Sequence, residues 1–128
     1  MPGSLLIVDD DEDFLEILVR RFSRRGLSTA AASSAADALD AADRQKFQVA
    51  LLDRSLPGQD GLELMEHLRD RHTNLQVILL SGHGDEQSIA DARDRGAFDY
   101  LVKPCSLADL EKAVQRALEA AVDAASGD

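Results

Sequence analysis

A single cysteine, Cys105, in a chain of 128 residues has nothing to pair with inside the molecule. No disulfide framework is expected, as in a reducing compartment. Basic residues are scarce: 14 Lys and Arg stand against 24 Asp and Glu, a formal net charge of −10. Affinity for nucleic acid rests on Lys and Arg neutralising phosphates, so direct nucleic-acid binding is not expected. The imbalance suits cations and basic partner surfaces instead. No apolar run approaches the ~20 residues of a membrane span. The first run, Leu5 to Val8, has no basic segment before it and is too short for a secretory signal. The expected location is cytoplasmic, with no membrane partner. Cys/His spacing for zinc is missing, and so is a Gly-rich Lys-Ser/Thr loop after the first run, which excludes a P-loop NTPase. With 45% hydrophobic and 30% charged residues, the chain is expected to form one domain over 1–128 with a real core. Its small-residue end, about 120–128, is expected to fray.

What is present is an alternation of short apolar runs with helical periodicity. Runs at about 5–8, 27–32, 49–52, 77–80 and 98–102 read as strands, the second polar enough for an edge. Phe14, Leu15, Leu18, Val19 and Phe22 mark one face of a first helix that ends near Gly26. Ser34 opens a second helix with Asp37 as capping partner, and Ala35, Ala38, Leu39 and Ala42 face inward. A third helix, after the Pro57-Gly58 turn, buries Leu62, Met65 and Leu68. The fourth offers only Ile89, Ala92 and neighbours, and the fifth opens at Ser106 as N-cap. Five βα units in a row define an α/β fold, a doubly wound five-stranded parallel sheet with helices on both faces. In such sheets the site lies beyond the carboxyl ends of the strands. The loops at that edge carry Asp9 and Asp10, Asp53, Ser81 and Lys103.

Each of these residues has a plainer explanation. Asp9 and Asp10 would also suit the N-terminal turn of a helix, a part that falls more naturally to Asp11 as N-cap. Strand-terminal aspartates such as Asp53 often cap turns, and a lysine such as Lys103 usually faces solvent. Their shared sheet edge outweighs those readings. Clustered carboxylates repel, and either one keeps its proton or a cation binds. Mg²⁺ takes oxygen ligands and is bound through one or two carboxylates plus phosphate. A carboxylate is also a competent phosphoryl nucleophile, and phosphoryl transfer then asks mainly for positioning and charge neutralisation. Ser81 would serve as a turn residue or as a donor to a phosphoryl oxygen. Tyr100, the sole tyrosine, would be a partly buried edge residue in the plainer reading. His67 and His72 read as surface residues of the third helix, His83 lies nearer the site, and Cys105 reads as a packing residue.

In order along the chain, Leu6-Ile7-Val8-Asp9-Asp10-Asp11, Leu51-Leu52-Asp53 with Leu56-Pro57-Gly58-Gln59-Asp60-Gly61, Leu79-Leu80-Ser81-Gly82 and Gly96-Ala97-Phe98-Asp99-Tyr100-Leu101-Val102-Lys103-Pro104 resemble the receiver domain of two-component response regulators. The set covers nearly the whole chain. Its closing motifs look most like receivers of the enhancer-binding regulator branch, or related stand-alone receivers. The resemblance implies a flavodoxin-like fold of strand order 2-1-3-4-5 and phosphorelay signalling. Asp53 would accept a phosphoryl group from a sensor histidine kinase or a histidine phosphotransfer protein. Asp10 and Asp53 would ligate Mg²⁺, Asp9 would act through water, and Ser55 would offer its backbone carbonyl. Lys103 would contact the phosphoryl group, Ser81 would close onto it, and Tyr100 would turn inward on activation. The Lys103–Pro104 bond would be cis. The implied module is regulatory rather than an enzyme, although it assists its own phosphotransfer and dephosphorylation. Expected partners are the kinase, a downstream target or output domain, and a second copy on phosphorylation, through the surface of the fourth helix, fifth strand and fifth helix.

Ser81 stands where threonine is commoner but keeps the hydroxyl. Ser55 and His83 occupy variable flanking positions, which leaves phosphate lifetime open. Rival functions fit less well. An aspartate-nucleophile phosphatase needs a second acid two residues after the nucleophile, where Asp53-Arg54-Ser55 has none. A flavin or nucleotide module wants glycines and hydroxyls after the first strand, where this chain has acids. A receiver fold kept only for protein interaction would not need Asp10, Asp53, Ser81 and Lys103 together.

Overall fold

The computed structural model describes residues 3–126. In chain order the elements are β1 (Gly3–Val8), α1 (Glu12–Arg24), β2 (Leu27–Ala32), α2 (Ala35–Arg44) and β3 (Val49–Asp53). Then come β4 (Ser55–Leu56), β5 (Gln59–Asp60), α3 (Gly61–Arg71), β6 (Gln76–Ser81), α4 (Glu86–Asp94), β7 (Asp99–Val102) and α5 (Leu107–Ser126). Five strands form one parallel sheet in the order β2-β1-β3-β6-β7. The short antiparallel hairpin β4–β5 takes two labels, so the main sheet has the expected order 2-1-3-4-5. That hairpin is the one element the Pro57-Gly58 turn did not announce. Gly58 supplies its positive φ of 76°.

Period-two alternation deals the strand side chains to two cores. Leu6, Val8, Ala50, Leu52, Val77 and Leu79 pack on the side of α2, α3 and α4. Leu5, Ile7, Val49, Leu51, Ile78 and Leu80 pack against α1 and α5. Both faces are covered, which is why these strands read as continuous apolar runs. β2 is an edge strand, as its polarity suggested.

The helix ends are set by local chemistry. Asp11 caps α1 by accepting from the Phe14 N–H at 3.1 Å, and Ser34 caps α2 by accepting from the Asp37 N–H at 3.1 Å. Ser106 accepts from the Asp109 N–H at 3.0 Å at the head of α5. Each such cap stabilises its helix by about 1 kcal/mol. α3 starts tightly against β3: a Cβ on Gly61 would come within 2.6 Å of the Arg54 Cα and the Asp53 carbonyl. Only glycine fits there. α4 is different in kind, because Ala92 is its single buried residue. α5 is helical to Ser126. The expected fraying over about 120–128 falls partly on residues 127–128, outside the described residues.

Candidate functional site

The carboxyl ends of β1, β3, β6 and β7 bring Asp9, Asp53, Ser81 and Lys103 to one edge. β3 runs one residue further than the apolar run and ends on Asp53 itself. Asp9 is held just past β1 because its N–H donates to the Ala32 carbonyl at 3.1 Å. Its Oδ1 accepts from the Asp11 N–H at 2.9 Å. Asp53 Oδ1 accepts from the Ser55 N–H at 3.0 Å, which places the exposed Ser55 beside the carboxylate. Lys103 is positioned by its own N–H, which donates to the Ser81 carbonyl at 2.7 Å. The Lys103–Pro104 peptide is cis, as the resemblance implied.

Lys103 Nζ lies 3.3 Å from Asp9 Oδ2 and 3.4 Å from Asp53 Oδ2. The ammonium also lies 5.7 Å from the centre of the Phe14 ring. Carboxylate oxygens of Asp9, Asp10 and Asp53 lie within 4.8 Å of one another. Asp9 and Asp53 are buried, at 2% and 6% exposure, and Asp10 is open to solvent. Burial pushes the Asp9 carboxyl up from its usual range, and the Asp53 charge adds to this. The Asp11 N–H and Lys103 only partly offset that rise. For Lys103 burial works against the ammonium, but the Asp9 and Asp53 charges outweigh it and the net shift is upward. Lys103 therefore stays charged. Three carboxylates facing one ammonium leave a local surplus of about two negative charges when all are ionised. The donor set is all hard oxygen and fits a divalent cation such as Mg²⁺.

Ser81 ends β6 and is buried at 1% exposure. Its Oγ accepts from the His83 N–H at 3.0 Å. Tyr100 lies apart from the acidic pocket. It is buried, and its hydroxyl donates to the His83 carbonyl at 2.7 Å. His83 thus links Ser81 to Tyr100 through its backbone. The plainer reading of Tyr100 as partly buried understates its enclosure.

Two residues differ from expectation or escaped it. His72 is not simply a surface residue: it ends α3, is half-buried, and its Nε2 lies 2.7 Å from the Ala42 carbonyl of α2. His67 is exposed, as expected. Arg54 was not singled out, although its guanidinium sits against Tyr100. No motif marks it; the only available signal was its place directly after Asp53. Cys105 is half-buried, and burial raises its thiol above the ordinary range, in keeping with a packing role.

With this geometry in hand, comparison with known proteins is direct. Residues 5–115 match the response regulator receiver domain. The chain belongs to that family, the phosphorelay signalling modules of two-component systems. Over 107 residues, 84% of the chain, it is 45% identical to the transcriptional activator protein PfeR of Pseudomonas aeruginosa, covering 35% of that protein. Over 116 residues, 91% of the chain, it is 37% identical to the DNA-binding transcriptional regulator NtrC of Klebsiella pneumoniae, covering 25% of it. The chain thus spans about a third or less of these two relatives. The crystal structure of NtrX from Brucella abortus superposes with a TM-score of 0.86 at 33% identity, over 94% of this chain and 28% of that one. Among the described residues no helix is long and apolar enough to cross a membrane.

Proposed function

We propose that Asp53 is the phosphoacceptor of this receiver, and that a histidine kinase or a histidine phosphotransfer protein supplies the phosphoryl group. One observation carries the assignment. Lys103 Nζ reaches the carboxylates of both Asp9 and Asp53, so Asp53, a buried aspartate at a strand end before a tight turn, already has a cation beside it. An Asp53 carboxylate oxygen attacks phosphorus, the phosphorus–nitrogen bond of the donor phosphohistidine breaks, and its electron pair stays on the imidazole. Asp10 and Asp53 would hold Mg²⁺, with Asp9 acting through water and the Ser55 backbone carbonyl completing the set. When bound, the ion supplies neutralisation of the charge carried on the phosphoryl oxygens. Lys103 meets the same charge from the β7 side. Ser81 then turns its hydroxyl to a phosphoryl oxygen, giving up its contact with the His83 N–H.

The module is regulatory and self-assisting rather than an enzyme with an external substrate. Phosphorylation alters the α4–β7–α5 surface, where a downstream target, an output domain or a second copy docks. The names of PfeR and NtrC, and the small share of each that this chain covers, support a transcriptional output. Residues 1–128 act as one receiver unit in the cytoplasm.

The test is chemical. Incubation with a small phosphodonor and Mg²⁺ should add one phosphoryl group by intact mass. Asp53→Asn should abolish the addition, whereas equal labelling of that variant would move the acceptor elsewhere.

A further inference from the structure

Arg54 follows the proposed phosphoacceptor directly, and its backbone is pinned on both sides. Its N–H donates to the Leu80 carbonyl at the end of β6 at 2.8 Å. Its carbonyl accepts from the Gly61 N–H at the head of α3 at 2.7 Å. From that fixed base the half-buried side chain runs toward α4 and β7. Nη1 lies 3.3 Å from the Tyr100 hydroxyl and 3.4 Å from the Ser88 carbonyl in α4. Cζ lies 5.9 Å from the Tyr100 ring centre, and Nε is 3.8 Å from Asp60 Oδ1. Each contact is at the long end of its range and weak alone. One planar guanidinium makes all four, and the fork geometry suits that better than an ammonium would. The Tyr100 hydroxyl is also fully used: it donates to His83 and accepts from Arg54.

We propose that Arg54 is a positioning residue that holds Tyr100 and the first turn of α4 in the buried arrangement before any phosphoryl group arrives. α4 has little apolar anchorage of its own, so a polar clamp from the residue just after β3 decides where it rests. The residue that carries the clamp is joined by one peptide bond to Asp53. A phosphoryl group shifts the switch only by its differential affinity for the two arrangements. Where Arg54 already favours the buried one, phosphorylation has less left to move at Tyr100. That second consequence rests on the proposed role of Asp53; the resting contact does not.

The chain contains one tyrosine and no tryptophan, so its intrinsic fluorescence reports Tyr100 alone. In the unphosphorylated protein, Arg54→Met keeps the apolar stem and loses the charge and the fork. It should raise acrylamide quenching of Tyr100 at least about twofold, with Arg54→Lys intermediate and far-ultraviolet circular dichroism unchanged. Quenching equal to wild type in Arg54→Met overturns the proposal. In the wild-type protein, a nuclear Overhauser contact between the Arg54 side chain and the Tyr100 ring is required, and its absence overturns the proposal whatever the variants do. Beryllium fluoride with Mg²⁺ separates the two readings. It should return Arg54→Met to wild-type quenching while changing the wild type little. No amide shift around Asp53 with that mimic would sink the phosphoacceptor assignment, while the same samples' basal quenching still judges Arg54.

Discussion

The two sides of the sheet are built on different principles. α5 lays Leu110, Ala113, Val114, Ala117 and Leu118 against the sheet, together with Leu18 and Phe22 of α1. Glu111, itself buried, pairs with Arg21 and Arg25 and ties the two helices together. α4, on the other side, buries Ala92 alone and is held mainly by polar contacts. Arg95 pairs with Glu66 of α3, Arg69 donates to the Gly96 carbonyl at 2.6 Å, and Arg54 reaches Ser88. Exposed ion pairs of this sort contribute about 0–1 kcal/mol each, against about 1.5–3 kcal/mol for burying one large apolar side chain. A binding event worth a few kcal/mol can therefore rearrange the α4 side and cannot rearrange the α1–α5 side. The asymmetry is what a switch needs, since mobile elements come from the less stable parts of a fold.

Truncating one side chain on each face tests the asymmetry. Phe22→Ala should cost about 3–5 kcal/mol in denaturant unfolding, whereas Ile89→Ala, only partly buried on α4, should cost under about 1 kcal/mol. Equal losses would remove the asymmetry.

Mg²⁺ should act at the acidic pocket between the two faces. At about tenfold saturation it stabilises by about 1.4 kcal/mol, several degrees in melting temperature. Asp10→Asn should lose most of the shift in calorimetry of chelator-treated protein, and an unshifted wild type at millimolar Mg²⁺ would exclude the ion site.

On the α1–α5 side a smaller, pH-dependent effect is expected. The Arg21 hydrogen bond and the charges of Arg21 and Arg25 hold the Glu111 carboxyl below its usual range. A depressed carboxyl contributes stability that is present above the ordinary glutamate range and is lost as pH falls from that range through the lower value of the folded state. Wild type should thus be more stable than Glu111→Gln near neutral pH, and their denaturant midpoints should converge as the medium is acidified. A gap independent of pH would show that the pairing does not stabilise the fold through its charge. Arg95→Ala should have the least effect, shifting the denaturant midpoint less than Ile89→Ala does.

Much of this is legible in the sequence. Strands buried on both faces announce themselves as apolar runs, and capping residues such as Asp11, Ser34 and Ser106 mark helix starts by local chemistry alone. The site was legible for a related reason: a parallel sheet sends every strand end to one edge, so Asp9, Asp53, Ser81 and Lys103 had to converge. The sparse inner face of α4 also showed in Ile89 and Ala92. What escaped depends on direction rather than position. Nothing local says that the Arg54 side chain turns toward Tyr100, or that the His72 ring reaches across to α2. Glu111 lies in a helix whose charge pattern looks solvent-facing, and only the approach of α1 covers it. The β4–β5 hairpin is too short to carry a strand signature.

We expect phosphoryl chemistry at Asp53 to be read out by the weakly anchored α4 side. Backbone amide chemical shifts, recorded with and without beryllium fluoride and Mg²⁺, test it most directly. The largest changes are expected around Asp53, through Ser81 and His83 and along α4, with the α1–α5 core unmoved and the already buried Tyr100 ring shifted little. Changes confined to the loops around Asp53, with α4 silent, would overturn this reading.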